Sequence, residues 1–193
     1  MVGLQVLVLA IEVRILVPEQ HMNNDFLVQL IALFALAAFA GSFHSKTRKG
    51  ILLWQILSII IWVIHYSLLG AWTGASLIVV NGIFTTIFVY KDKKNWLKNP
   101  WILYIALSTL TLVTLLSWKG FWSIFALLAV MSGITAKWQD DTKKIKLISI
   151  VASVFWIIYD LRVGSWGGVV TEAIIILSAA GSLIRNKKYE KIP

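Results

Sequence analysis

The chain has 193 residues, of which 59% are hydrophobic and 14% are charged, and its mean hydropathy is +0.80. A soluble domain has about half apolar and about a quarter charged residues, so this composition indicates lipid as the solvent and excludes a soluble enzyme. The chain contains no cysteine, which also excludes a disulfide-stapled module and thiolate metal sites. The meaning of the net charge of +9 depends on where along the chain the charges lie.

Seven apolar stretches are long enough to cross a membrane, which takes about 20 residues for roughly 30 Å of hydrocarbon. We predict helices over 26–44, 51–70, 72–90, 101–118, 121–138, 147–164 and 166–184. Runs such as Ile59-Ile60-Ile61 are apolar on every side, unlike the alternating pattern of a half-buried strand. The predicted fold class is therefore an all-α polytopic membrane protein with seven transmembrane helices.

Residues 1–24 form an amino-terminal extension whose sequence pattern does not indicate a single kind of structure. Residues 1–17 are apolar but short, and they contain Glu12 and Arg14. No basic segment precedes them and no small-residue cleavage site follows. Three interpretations stay open: a start-site artefact with the working start at Met22, a short interfacial helix, and a true span or signal.

Fifteen of the 18 basic residues fall in four clusters. They are Lys46, Arg48 and Lys49; Lys91, Lys93, Lys94 and Lys98; Lys137, Lys143, Lys144 and Lys146; and Arg185, Lys187, Lys188 and Lys191. With seven spans starting at Phe26, all four clusters share one face, which the positive-inside rule makes cytoplasmic. We therefore predict an outside amino terminus and a cytoplasmic carboxyl terminus. The clusters lack a nucleic-acid-binding pattern, so no nucleic-acid partner is expected.

The sequence repeats at an offset of 94 residues. WVIHYSLLGAWTGASLIVV from Trp62 aligns without a gap with WIIYDLRVGSWGGVVTEAI from Trp156, and FALAAFAG from Phe34 resembles FALLAVMSG from Phe125. We predict a first three-helix unit over 25–94, a linker helix within 95–119, a second unit over 120–188 and a tail over 189–193. Because three helices are an odd number, the linker helix lets both units face the same way, as parallel repeats about an axis along the membrane normal.

These motifs resemble a known family. HYSLLGAWTGAS followed by Asn81, GSWGG followed by Glu172, and the basic cluster after each unit resemble the YgjV family of bacterial inner-membrane proteins, over roughly Met22 to Lys188. The 3+1+3 arrangement is also similar to SWEET and PQ-loop transporters, although no span here contains proline and no Pro-Gln dipeptide occurs. The resemblance implies a multi-pass protein of the bacterial inner membrane. It does not indicate a substrate.

Three residues at the predicted midplane are candidates for contact with a solute. Trp62 and Trp156 are equivalent in the repeat and could form an aromatic clamp, or they could be apolar filler or lipid-facing surface. Asn81 needs a hydrogen-bonding partner within the bilayer. The resemblance to SWEET-type third helices implies that Asn81 contacts substrate, and interhelical hydrogen bonding is the alternative.

Charged residues inside the membrane are costly and so informative. Glu172 lies six residues inside the last span, roughly 9 Å deep at 1.5 Å per residue. Asp160 and Arg162 are its candidate partners, through an ion pair with Arg162 or a shared solute. His65 and Tyr66, with their repeat equivalents Tyr159 and Asp160, could form an extracellular gate, and hydrogen-bonded packing is the alternative for His65.

Two glycines could replace the missing prolines as hinges. Gly41 and Gly133 occupy matching places in the first helix of each unit. The alternative interpretation is that each permits a close helix contact, as small residues do in membranes. Gln29 and Gln55 are weaker candidates for polar contacts.

No phosphate loop, metalloprotease motif, clustered His and carboxylates, or nucleophile elbow is present, so we expect no catalytic residues, enzymatic activity, metal or cofactor. The leading hypothesis is a transporter or facilitator for a small polar solute that works by alternating access. The other is a non-transporting membrane protein that acts as a sensor, assembly factor or partner subunit. The expected partners are the lipid bilayer and an unknown solute, with a homo-oligomer possible.

Overall fold

The computed structural model describes residues 18–41, 48–91 and 93–189. These residues form seven α-helices and one 3₁₀ turn, with no strand among them. The helices are α1 (Pro18–Gly41), α2 (Arg48–Leu68), α3 (Trp72–Val89), α4 (Trp101–Leu116), α5 (Ser123–Trp138), α6 (Thr142–Val163) and α7 (Trp166–Tyr189), with the 3₁₀ turn at Asn95–Lys98. The all-α prediction is confirmed for this part of the chain. The predictions for residues 1–17, for Lys46 and for 190–193 lie outside the described residues.

The helices follow the predicted spans but extend past several of their ends. α1 begins at Pro18 and α6 at Thr142, earlier than the apolar stretches, and α7 continues to Tyr189. Helical hydrogen bonds extend into the flanking polar residues when a residue that can cap the helix lies beyond the apolar stretch. Proline suits the first turn of α1, because that turn does not need its missing N–H. Asp141 caps α6, since its carboxylate accepts a hydrogen bond of 2.8 Å from the Lys143 amide.

Two helical hairpins turn at glycines in the left-handed conformation. Gly70 between α2 and α3 has φ +66°, and Gly164 between α6 and α7 has φ +75°. In both turns the next residue closes the helix with the same hydrogen bond, from Ala71 N to Tyr66 O and from Ser165 N to Asp160 O, each 2.9 Å. This is the Schellman type of helix end, for which glycine is the preferred residue.

Six helices form a closed ring through their main contacts. Within each half of the chain the helices pack in sequence, α1 on α2 on α3 and α5 on α6 on α7. The halves meet where α3 packs on α5 and where α1 packs on α7. α4 lies outside the ring against α3 and α5. The ring brings α2 and α6 to face each other across its centre.

The exterior of the bundle is strongly apolar. Exposed stripes follow α2, α4 and α7 with the spacing of one helix face, and they include Leu53, Leu57, Ile60 and Ile64; Ile105, Leu112 and Leu115; and Val170, Ile174 and Leu177. Two segments, Trp72–Val89 and Trp166–Ile184, are long and apolar enough to cross a membrane, by length and composition. The apolar segments Phe26–Gly41, Leu52–Leu68, Trp101–Leu116 and Ser123–Trp138 are shorter.

Candidate functional site

Polar side chains meet at the centre of the ring, beside the two hairpin turns. Tyr66 of α2 donates a hydrogen bond of 2.7 Å to Asp160 Oδ1 of α6, and both residues are almost fully buried. Tyr66 and Asp160 are 94 positions apart, which is the offset of the sequence repeat. The other carboxylate oxygen, Oδ2, is buried beside the Ser165 hydroxyl and Gly168 without a hydrogen bond of standard geometry.

His65 continues this network toward α1. One ring nitrogen, Nε2, lies 2.8 Å from Ser165 Oγ, and the other, Nδ1, lies 2.9 Å from the carbonyl oxygen of Val28. His65 and Ser165 are fully buried. Both ring nitrogens of His65 nevertheless have a hydrogen-bond partner within the protein. We refer to His65, Tyr66, Tyr159, Asp160 and Ser165 as the hairpin cluster.

Aromatic rings fill the space next to the hairpin cluster. The Tyr66 ring stacks on Trp62 at 5.6 Å and on Trp156 at 5.5 Å, with interplanar angles of 29° and 20°. Both tryptophans therefore face the interior, as the clamp hypothesis requires, and the Tyr66 ring occupies the place between them. Trp156 also meets Tyr159 edge-on at 5.9 Å.

Glycines let the helices approach closely around the cluster. The Gly74 amide donates a hydrogen bond of 3.0 Å to the Tyr159 hydroxyl, and a Cβ on Gly74 would lie 2.9 Å from that ring. A Cβ on Gly168 would clash with both Asp160 Oδ2 and Ser165 Oγ. Gln29 of α1 binds the second hairpin by donating to Gly164 O at 2.9 Å and accepting from Gly167 N at 2.8 Å.

Glu172 lies two turns into α7. Its side chain lies near Ser153 of α6 and near Asp160. Arg162 is exposed and forms no ion pair with Glu172. The suggested pairing of Glu172 with Arg162 is therefore absent, because the Arg162 side chain points away from the bundle interior.

A second polar group lies nearer the other end of the bundle. The Lys137 ammonium of α5 donates to Asn81 Oδ1 and to Thr85 Oγ1, both at 2.9 Å and both on α3. We refer to Asn81, Thr85 and Lys137 as the lysine cluster. In the sequence, Lys137 belongs to the third basic cluster, which we predict at the cytoplasmic face. In the structure its side chain turns inward and contacts the candidate residue Asn81.

The two candidate hinge glycines differ in their surroundings. A Cβ on Gly41 would lie 2.9 Å from the Trp54 ring, so this glycine permits a close contact between α1 and α2. A Cβ on Gly133 would meet nothing within 4 Å. Gly133 shares a helix face with the buried residues Ala126, Ala129 and Val130, but it is itself partly exposed, so no neighbouring helix packs closely against it.

Sequence reasoning missed Lys137, Thr85, Ser153 and Ser165. Lys137 lies seven and three residues after the buried Val130 and Ile134, a spacing that points it to the buried side of α5. Thr85 follows Asn81 by one turn on the same face. Within the described residues, no group of three or more His, Asp and Glu is arranged to hold a metal ion.

An apolar exterior around buried polar contacts is typical of helical proteins that are embedded in lipid. The comparison with known families agrees with this class. The model of the YgjV family, described as bacterial inner membrane protein, matches residues 26–190. The chain belongs to this family of bacterial inner membrane proteins. No curated protein and no solved structure matches the chain.

Proposed function

We propose that all seven helices span the inner membrane, with the amino terminus outside and the carboxyl terminus in the cytoplasm. The exposed apolar stripes support this, because large exposed apolar surfaces mark contacts with a membrane or with other proteins. Exposed tryptophans at helix ends also support it, since indole rings favour membrane borders. They are Trp72, Trp96, Trp101, Trp118, Trp122 and Trp166. The four basic clusters then all face the cytoplasm.

We propose further that α1–α3 and α5–α7 are parallel repeats that α4 links. Under a two-fold operation, a residue can touch its own equivalent only near the axis. Tyr66 and Asp160 are such equivalents, and they are hydrogen-bonded at the centre of the ring. The matched turns at Gly70 and Gly164 and the reciprocal contacts of α3 with α5 and α1 with α7 support the same axis.

On this architecture we infer that the protein transports a small polar solute by alternating access between the two units. The observation that carries the inference is that buried polar contacts join one unit to the other, at two depths, within an apolar exterior. Examples are Tyr66 with Asp160 and Asn81 with Lys137. Polar and ionisable groups in a membrane are costly and mark solute or ion pathways. The hairpin cluster then closes the outer side, and the lysine cluster lies on the inner half of the path.

A non-transporting role as a sensor, assembly factor or partner subunit is the second candidate. One observation favours it: the Tyr66 ring occupies the space between Trp62 and Trp156. In a purely structural core, the side chains would likewise pack against partners within the protein and leave no space for a solute. Neither candidate involves a catalytic step or a cofactor.

Uptake by the purified protein in liposomes tests transport. The solutes are glycerol, glycine, choline, acetate and inorganic phosphate, and the variants are Asn81→Ala and Glu172→Gln. We expect Asn81→Ala to lower the uptake of a transported solute about tenfold while the protein stays folded, since a membrane hydrogen bond averages only about 0.6 kcal/mol. Asn99→Ala is the matched control, because Asn99 only caps α4 and is exposed.

The outcomes separate the two candidates. If a solute is transported and both Asn81→Ala and Glu172→Gln carry it at the wild-type rate, the site assignment is wrong. If none of the five solutes enters the liposomes above the protein-free rate, the non-transporting role replaces transport.

A further inference from the structure

The lysine cluster contains a cation without a counter-charge. Lys137 lies one residue before the end of α5, and its side chain reaches back along the helix to Asn81 and Thr85. Both acceptors are neutral. In the part of the chain that the structure describes, the one ion pair joins Lys91 to Asp140 at 3.4 Å, and no carboxylate reaches Lys137. A desolvated ammonium is expensive without a negative partner, so the cluster lacks one charge.

The cluster also has hydrogen-bond donors to spare. An ammonium has three N–H donors, and the bonds to Asn81 and Thr85 use two of them. The Asn81 amide nitrogen adds two more donors, and within the described residues it makes no hydrogen bond, since only Oδ1 of that side chain is engaged. A group that accepts several hydrogen bonds and carries negative charge fits this set, and charge-assisted bonds of this kind are the strong ones.

Open space adjoins these donors. Gly133 lies one turn before Lys137 on the same face of α5, and a Cβ there would meet nothing within 4 Å. Asn81 is only half-buried, although Phe84, Thr85 and Phe88 on the same face of α3 are buried. Asn81, Gly133 and Lys137 are all partly exposed, so a solute can reach the donors of the cluster.

The adjacent end of the bundle is basic. A pocket of about 380 Å³ is lined by Lys91, Lys98, Trp138 and Asp140, and Trp138 directly follows Lys137. Pockets of this size accommodate small metabolites. Lys91 lies over the Trp138 ring at 4.1 Å and donates to the Trp138 carbonyl oxygen at 2.6 Å. The lysines of this pocket raise the local concentration of anions next to Trp138, the residue after Lys137.

We infer that Asn81, Thr85 and Lys137 form a binding site for the oxyanion group of a small solute, a carboxylate or a phosphate, that enters from the cytoplasmic side. The inference rests on the proposed function, since it names the substrate class of that path. The oxyanion would accept hydrogen bonds from the remaining Lys137 donor and from the Asn81 amide nitrogen. A phosphate of an anionic lipid headgroup has the same chemistry, so the test includes a lipid arm.

The test is a thermal-unfolding titration of the full chain, purified in zwitterionic detergent. Acetate, succinate or inorganic phosphate replaces chloride at constant ionic strength. We expect at least one oxyanion to stabilise the wild type saturably, and Lys137→Gln to weaken its apparent affinity about tenfold or more. Lys137→Arg, which keeps the charge, should retain most of the affinity. Lys146→Gln is the matched control, because Lys146 donates at 2.6 Å to Ser182 within one unit, and it should bind like the wild type.

Asn81→Asp makes a second prediction in the opposite direction. It adds the missing negative charge at nearly constant shape, so it should raise the unfolding temperature and abolish oxyanion binding. This variant keeps the proposal testable if Lys137→Gln does not fold.

The following results would overturn the inference: no oxyanion stabilises the wild type beyond chloride, Lys146→Gln loses as much affinity as Lys137→Gln, or Asn81→Asp binds oxyanions like the wild type. Stabilisation by phosphatidylglycerol alone would assign the site to a lipid headgroup instead of a solute. Oxyanion binding without liposome uptake would refute transport and keep the site, whereas uptake of only glycerol or choline, which carry no oxyanion, would keep transport and refute the site.

Discussion

Tyr66 takes part in both kinds of interaction that hold the centre of the ring. Its ring lies between Trp62 and Trp156, and its hydroxyl is hydrogen-bonded to Asp160 at 2.7 Å. Aromatic pairs add about 0.5–1.5 kcal/mol beyond the area they bury, and a membrane hydrogen bond adds about 0.6 kcal/mol on average and about 1.7 at most. The stacking is therefore expected to contribute more than the hydroxyl.

A double-mutant cycle separates the two contributions. Tyr66→Phe keeps the stacking and removes the hydroxyl, and Asp160→Leu removes the acceptor at similar size. We expect a coupling free energy of about 0.6–1.7 kcal/mol between the two positions, measured by thermal unfolding in detergent. Tyr66→Ala should cost more than Tyr66→Phe. Additive effects of Tyr66→Phe and Asp160→Leu would contradict the hydrogen bond.

Two glycines of α7 provide a matched test of close packing. Alanine at Gly168 would clash with Asp160 and Ser165, and overpacking costs about 1–3 kcal/mol, which exceeds the roughly 1 kcal/mol gained in helix propensity. Alanine at Gly181 meets nothing within 4 Å. We expect Gly168→Ala to lower the free energy of unfolding and Gly181→Ala to leave it unchanged or raise it. Equal effects in thermal unfolding would contradict this packing.

The two hairpins are the elements that bring the functional side chains together. In each hairpin the first helix ends at a glycine with positive φ. The residue after that glycine donates its amide hydrogen bond to the carbonyl oxygen of a hairpin-cluster residue five positions earlier. Tyr66 precedes Ala71 in this way, and Asp160 precedes Ser165. A change in either turn should therefore alter the cluster as well as the helix end.

Substitution at Gly164 measures the backbone strain of the turn directly. Nothing lies within 4 Å of a Cβ at Gly164 or Gly70, so steric clash does not contribute. The left-handed conformation costs a residue with a side chain about 1–2 kcal/mol, and asparagine tolerates it better than alanine. We expect Gly164→Ala and Gly70→Ala to be destabilising by about 1 kcal/mol, with Gly164→Asn closer to wild type. Thermal unfolding provides the measurement, and a neutral Gly164→Ala would contradict the turn geometry.

At the scale of the whole molecule, the closed ring explains why charged groups are compatible with an apolar exterior. Helices from both halves of the chain enclose Asp160, Glu172 and Lys137, while their outer faces carry the exposed leucines and isoleucines. Two inter-half interfaces, α3 with α5 and α1 with α7, flank the hairpin cluster. A rocking motion of one half against the other would open these interfaces first.

Cysteine labelling tests the seven-span topology, because the chain has no cysteine of its own. Lys119→Cys lies between α4 and α5, and Lys94→Cys lies between α3 and α4. In intact cells we expect a membrane-impermeant maleimide to label Lys119→Cys and to label Lys94→Cys only after permeabilisation. The reverse pattern would invert the proposed orientation. A reporter fused at Pro193 that is active only in the periplasm would also refute it.

The helical class, the approximate helix ends and the family can be predicted from the amino-acid sequence, because continuous apolar runs, glycine turns and tryptophan borders are local or periodic signals. The repeat offset also predicts that Tyr66 and Asp160 are equivalent positions, and the structure shows that they are hydrogen-bonded to each other. These features depend on residues near one another in the chain, or on similarity between two stretches of it.

The pairing of the polar groups depends on how the helices pack and cannot be predicted from the sequence pattern. Lys137 sits among other lysines in sequence, and its inward direction depends on α5 packing against α3. The contact of His65 with Ser165, 100 positions away, likewise requires the two hairpins to be adjacent. The reason is physical: a buried polar group takes whichever partner the packed helices bring within about 3 Å, and that distance is a property of the whole ring.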